Sequence, residues 1–94
     1  MRIVQIKRDM DAAAMAEMKP MFEELADGVE SVCFDLGGVG FLDSSGVGGI
    51  VFVFKRLQKR SRQVTLTNVE GQPLRLLRQL RLEFMLERRP TRAA

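Results

Sequence analysis

The sequence contains no histidine, no tryptophan and no tyrosine, and only one cysteine. Each scarcity removes a class of chemistry. Without histidine the chain cannot build a Ser–His–Asp triad, a histidine general base or a histidine metal site from its own residues. One cysteine, Cys33, excludes an internal disulfide and a thiolate zinc site alike. Cys33 lies in an apolar run, where a small buried side chain is the expected role, and such cysteine usage fits a cytoplasmic protein. The longest apolar run, Gly46–Phe54, is nine residues with three glycines among them. That is well short of the roughly 18 residues a membrane span requires, so none is expected. The first residues, "MRIVQIKRDMD", lack the form of a secretory signal. With no tyrosine or tryptophan, and phenylalanines mostly in core-like patterns, a stacking surface for single-stranded nucleic acid has little support.

What remains is the composition of one soluble globular domain. Its 94 residues fit a single unit, and 46% apolar with 29% charged content separates the chain from disordered sequences. The net charge of +3 hides an asymmetry. Residues 1–54 carry four basic and nine acidic side chains, a net of −5, and residues 55–94 carry eleven basic and three acidic ones, a net of +8. Such a division can steer a partner. Charge runs are more often solvated faces, and direct nucleic-acid binding is not expected.

The chain alternates two periodicities. "RIVQIK" at 2–7 is short and β-branched and reads as a strand. The next segment favours helix, with Met15, Met18, Phe22 and Leu25 on one stripe, Asp11 as a cap and Gly28 as a stop. The methionines there read as core filler. Pro20 conflicts with an unbroken helix, since a mid-helix proline costs about 3 kcal/mol. The expectation is a loose first turn and a firm helix from near Lys19 to Asp27. Residues 31–36 read as a central strand, apolar on both faces. In 45–60 "IVFVF" alone says strand, but Val47, Ile50, Val51, Phe54 and Leu57 follow helical spacing, and the length favours helix. "QVTLTN" at 63–68 is a strand. Pro73 opens a leucine-rich helix, with Arg75, Arg78 and Arg81 on a neighbouring face. "FMLER" at 84–88 reads as a last short strand, with a frayed tail from about residue 89. The expected fold is α/β: a single compact β-α-β-α-β-α-β domain spanning 1–94, with a parallel or mixed four-stranded sheet and crossover helices.

Between the second strand and second helix lies "GFLDSSGVGG", Gly40–Gly49. Phe41 and Leu42 anchor it, and Asp43 and Ser44 fall where helix N-cap oxygens are wanted. Four readings compete. The serines can simply complete a capped turn. The glycines can form an anion cradle, though no "GxxxxGK" spacing is present. A serine can be a nucleophile, though only Asp43 or Asp11 would be available as base. Or a serine at an exposed helix start can accept a phosphate, bringing about −1.5 to −2 charges that the helix end tolerates.

These residues carry a family resemblance. Asp35–Leu36, Phe41–Leu42, Asp43–Ser44–Ser45–Gly46 and Val47–Gly48 resemble the core of STAS domains, above all bacterial anti-sigma factor antagonists. "RDMDAAAMAEM" is similar to the family's "GELD" turn, with Asp11 at the aspartate. "VTLTNVEGQPLRLLRQLRL" is similar to the segment in which a strand ends in asparagine before a leucine-rich helix. The resemblance covers about residues 3–88. Family members usually carry a further strand before the "GELD" strand and a further helix at the end, so a short variant is expected.

The resemblance implies a binding module and not an enzyme, with no cofactor and no metal. Its partner would be a serine kinase of the ATPase-fold type acting as an anti-sigma factor. That kinase would phosphorylate Ser44 and cancel binding, and a PP2C-type phosphatase would reverse the modification. Asp11, Asp43, Ser44, Ser45, Gly46 and Val47 would form the switch surface. The alternative is a constitutive small STAS subunit of a lipid-transport ABC complex.

Overall fold

Three short strands rich in apolar and β-branched residues build the sheet, and their register decides which face is covered. The computed structural model of the protein describes residues 1–87. The strands are β1 (Arg2–Gln5), β2 (Val32–Asp35) and β3 (Val64–Thr67), parallel and in the order β1-β2-β3. Val4, Phe34 and Leu66 stand in one row across the sheet, all buried. The neighbouring row, Ile3, Cys33 and Thr65, lies on the opposite face, where Ile3 is 67% exposed. Val32, Cys33 and Phe34 are all buried, as befits the middle strand of a parallel sheet.

Three helices complete the domain: α1 (Ala12–Asp27), α2 (Ser44–Gln58) and α3 (Gly71–Gln79). Phe22 of α1 stacks on Phe34 with ring centroids 5.3 Å apart. Ile50, Val53 and Leu57 of α2 and Leu77 of α3 join the same core. The segment 45–60 is thus helical, as its spacing predicts. The arginines at and just past its end have structural tasks. Arg56 pairs with Asp27, while Arg60 and Arg62 each donate, at 2.7 Å, to the carbonyls of Ala26 and Val29. Cations therefore satisfy acceptors at the C-terminal end of α1.

Two expectations are corrected. First, α1 does not begin near Lys19; it runs unbroken from Ala12 with Pro20 inside. Pro20 lies on the exposed face, as does Ala16, whose carbonyl loses its partner there and is left to water. The Asp11 cap, the good helix formers after it, and burial of Ala14, Phe22, Leu25 and Ala26 outweigh the local cost. Second, the expected strand at 84–88 is not one over its described residues, so the sheet has three strands among the described residues. Glu83–Met85 form a turn of 3₁₀ helix, and Leu86 makes a single parallel bridge to Leu66. The left-handed Arg81 ends α3 and sends the chain back, and the tight turn seats Met85 in the core. Among the described residues only Leu86 and Glu87 then reach the sheet, with the Glu87 N–H donating to the Leu66 carbonyl at 2.8 Å. The tail expected from residue 89 lies outside the described residues.

Close packing of α2 generates a prediction. A Cβ at Gly46 would sit 2.5 Å from Leu42 Cδ1 and 2.7 Å from the Met10 carbonyl oxygen, whereas at Gly48 it meets nothing within 4 Å. Gly46→Ala is expected to destabilise the fold by about 1–3 kcal/mol through overpacking. Gly48→Ala is expected to stabilise it by about 0.5–1 kcal/mol by removing helix-interior backbone freedom. Thermal melts of the two variants check the opposite signs.

Candidate functional site

Beyond the strand ends, β1 and β2 lead into segments that meet once more. Met10 and Leu42 form an isolated parallel bridge, and neither is exposed to solvent. The Met10 N–H donates to the Phe41 carbonyl at 2.8 Å, and the Asp43 N–H to the Met10 carbonyl at 3.4 Å. The next residue on one segment is Asp11, and on the other Asp43. Each caps a helix. Asp11 Oδ1 accepts from the Ala14 N–H at 2.9 Å. Asp43 Oδ1 accepts from the Ser45 and Gly46 N–H groups at 2.9 and 3.2 Å. The bridge therefore starts α1 and α2 side by side, with a carboxylate accepting from one free donor at the start of α1 and from two at the start of α2.

Ser44 is the first residue of α2 and is exposed. The cap is made by Asp43, so the Ser44 hydroxyl is not required for it. Ser45 is also exposed, and it borders a groove of about 230 Å³ between α1 and α2, lined by Met15, Phe22, Gly49 and Phe52. Phe41 and Phe52 are 43% and 37% exposed, unusual for large aromatic side chains. Of the six expected site residues, Asp11, Asp43, Ser44 and Ser45 come together at this edge. Gly46 and Val47 do not face outward. Gly46 is wedged against Met10 and Leu42, and Val47, 8% exposed, belongs to the core. Helical rotation turns them inward directly after Ser45, so their role in the free chain is to seat the helix.

One residue at this site has no local sequence signal. Gln72, in the first turn of α3, grips the backbone of Leu42 from the side opposite Met10. Its Oε1 accepts from the Leu42 N–H and its Nε2 donates to the Leu42 carbonyl, both at 2.8 Å. The only hint in the sequence is an amide beside Pro73; the partner lies 30 residues away.

The loop leading to the site starts from a third carboxylate, Asp35. Asp35 Oδ1 accepts from the Gly37 N–H at 2.9 Å and from Asn68 Nδ2 at 3.1 Å. Asn68 sits in a left-handed conformation just past β3. The Gly37 bond, then the Asn68 bond, hold the Asp35 pKa below its ordinary value of 3.8. No cluster of three or more His, Cys, Asp or Glu suited to a metal ion occurs among the described residues.

A carboxyl whose pKa is depressed by folding contributes stability above its unfolded pKa, and loses it as pH falls through the folded value. Wild type is therefore expected to be more stable than Asp35→Asn at neutral pH. The two should converge below the folded pKa, where Asp35 is protonated. Urea titrations from pH 7 down to about pH 2 check the convergence, the range following from the usual carboxyl titration window.

Comparison with known proteins agrees with this architecture. The STAS domain family model matches residues 1–94. Among solved structures, that of the anti-sigma factor antagonist SpoIIAA in its unphosphorylated form superposes with a TM-score of 0.78 at 15% identity. The match covers 95% of this chain and 79% of that one. At such identity the likeness is one of fold. No curated protein matches the sequence. No helix among the described residues is long and apolar enough to cross a membrane. The family match spans the whole sequence and the strand–helix order beneath it is shared with a solved anti-sigma factor antagonist, so the chain belongs to the STAS domain family.

Proposed function

We propose that the protein is an anti-sigma factor antagonist: a non-enzymatic binding module, working in the cytoplasm, whose affinity for a partner is switched by phosphorylation of Ser44. The observation that carries this reading is the position of Ser44. It opens α2, is exposed, and stands on a cap that Asp43 completes alone. Modification of its hydroxyl breaks no capping bond. A phosphate there gains from the positive end of the helix and from free solvent access. The fold persists while Ser44 changes from an uncharged hydroxyl to a group carrying about −1.5 to −2 charges.

The surroundings suit a docking face. Phe41 precedes the serine, Phe52 lies along the same helix, and the α1–α2 groove begins at Ser45. Partly exposed aromatics beside a small apolar groove are the type of anchor that protein interfaces use. Phosphate placed at the rim of such a patch would have to be desolvated on docking, which costs binding energy unless the partner supplies cations. The proposed partner is a serine kinase of the ATPase fold that is itself the anti-sigma factor, with a PP2C-type phosphatase resetting the switch.

The test is phosphorylation mapping. The purified protein is incubated with ATP and extract of its source cell, and the modified residue is located by mass spectrometry. Phosphate on Ser44 is expected, and the kinase responsible is then purified. An extract that leaves Ser44 unmodified, with the protein bound instead to an ABC transporter irrespective of ATP, contradicts the switch. Ser44→Ala is expected to retain kinase binding and Ser44→Asp to weaken it. Ser44→Asp should change domain stability by less than about 1 kcal/mol, because a carboxylate at a helix N-terminus is well tolerated. Calorimetric melts check that the lost binding is not lost folding.

A further inference from the structure

Two adjacent serines are exposed at the start of α2, and a kinase that approaches this edge meets both. From the Leu42 clamp we infer that Gln72 is a positioning residue that sets which serine is presented, selecting Ser44 over Ser45. The inference rests on the phosphorylation switch proposed above.

Leu42 is held from both edges. Its side chain is fully buried, and its backbone has a neighbour on each edge. Met10 supplies one, through the parallel bridge. The other edge has no strand, yet it is paired. The Gln72 amide offers one acceptor and one donor in a fixed plane, matching the N–H and C=O of a single residue. A two-point bond of this kind fixes the orientation of the peptide planes on both sides of Leu42 as well as their distance. Only Asp43 separates Leu42 from Ser44. The Asp43 cap bonds, and hence the residue at which α2 begins, inherit that orientation.

The clamp is itself held firmly. Gln72 is half-buried between Gly71, whose φ of 66° turns the chain into α3, and Pro73, which is fully buried and fixes the next backbone angle. The stretch before Leu42 is rich in glycine, with Gly37, Gly38 and Gly40 among its few residues. Without Gln72, the Leu42 N–H and C=O lose their partners at a partly buried place. The Asp43 cap then loosens, the first turn of α2 frays, and Ser45 is offered in place of Ser44.

Gln72→Met keeps length and volume and removes both bonds. Gln72→Glu keeps an acceptor for the Leu42 N–H and removes the donor. Amide hydrogen exchange is measured first: Gln72→Met should speed exchange at Leu42 at least tenfold, with exchange in β2 unchanged. The kinase that modifies wild type is then applied to each variant, and rates and sites are read by mass spectrometry. In Gln72→Met, kcat/KM at Ser44 should fall at least tenfold, chiefly through KM, and the Ser45 share should rise. Gln72→Glu should lie between Gln72→Met and wild type, and it serves as the test if Gln72→Met does not fold. Faster exchange at Leu42 with unchanged rate and site choice overturns this inference alone. Absence of Ser44 phosphate in wild type overturns the switch and this inference with it.

Discussion

The candidate functional edge of this domain depends on how the backbone of Leu42 is held. On one side it pairs with Met10, and on the other with the side chain of Gln72. This single residue works as a strand in miniature, with a neighbour on each flank. It brings Asp11 and Asp43 to adjacent positions, and each caps the helix that follows it. The lack of a side chain at Gly46 is part of the same arrangement, since a Cβ would collide with Leu42 and with the Met10 carbonyl. The serine at the start of α2 is thus mounted on three elements: the segment between β1 and α1, the first turn of α3, and the helix it opens. A reversible charge placed there can alter a surface without altering a fold, because the bonds beneath it are already complete.

The charge asymmetry of the chain has a partly structural origin. Arg56, Arg60 and Arg62 reach Asp27 and the carbonyls of Ala26 and Val29, which closes the end of α1 and the turn after it. These residues would otherwise read as part of a basic patch for an acidic partner. What they neutralise is the acceptor-rich end of an acidic helix. Surface pairs such as Arg8–Glu17 and Lys19–Glu23 are exposed and add little. The apolar core, not the ion pairs, holds the layers together, with Phe34 at its centre under Phe22.

Much of this was legible in the residues, and the remainder failed for identifiable reasons. The choice of helix for 45–60 succeeded because Val47, Ile50 and Leu57 keep a helical period that "IVFVF" alone obscures, and all three are buried. Asp11 and Asp43 were readable as caps because capping is a local interaction. Pro20 misled, because its cost is local whereas the burial that outweighs it lies on the other side of α1. The fourth strand failed because β-propensity at Phe84 and Met85 cannot foresee a chain reversal at Arg81. Gln72 was invisible for the same reason: its partner lies far away in the sequence. Gly46 and Val47 belong to the motif that marks the site, yet they face the core. A motif names residues that a site needs, which is a wider set than those a partner touches.

The account stands or falls on whether one phosphate at Ser44 separates two forms of the same fold. The most direct measurement is calorimetric titration of the kinase with unmodified protein and with protein phosphorylated stoichiometrically at Ser44, with amide spectra recorded for both forms. The account predicts binding for the unmodified form, at least tenfold weaker binding for the phosphorylated form, and spectra that differ only around Leu42–Gly49. Equal affinity of the two forms would contradict it, as would a phosphorylated form that has lost its folded spectrum.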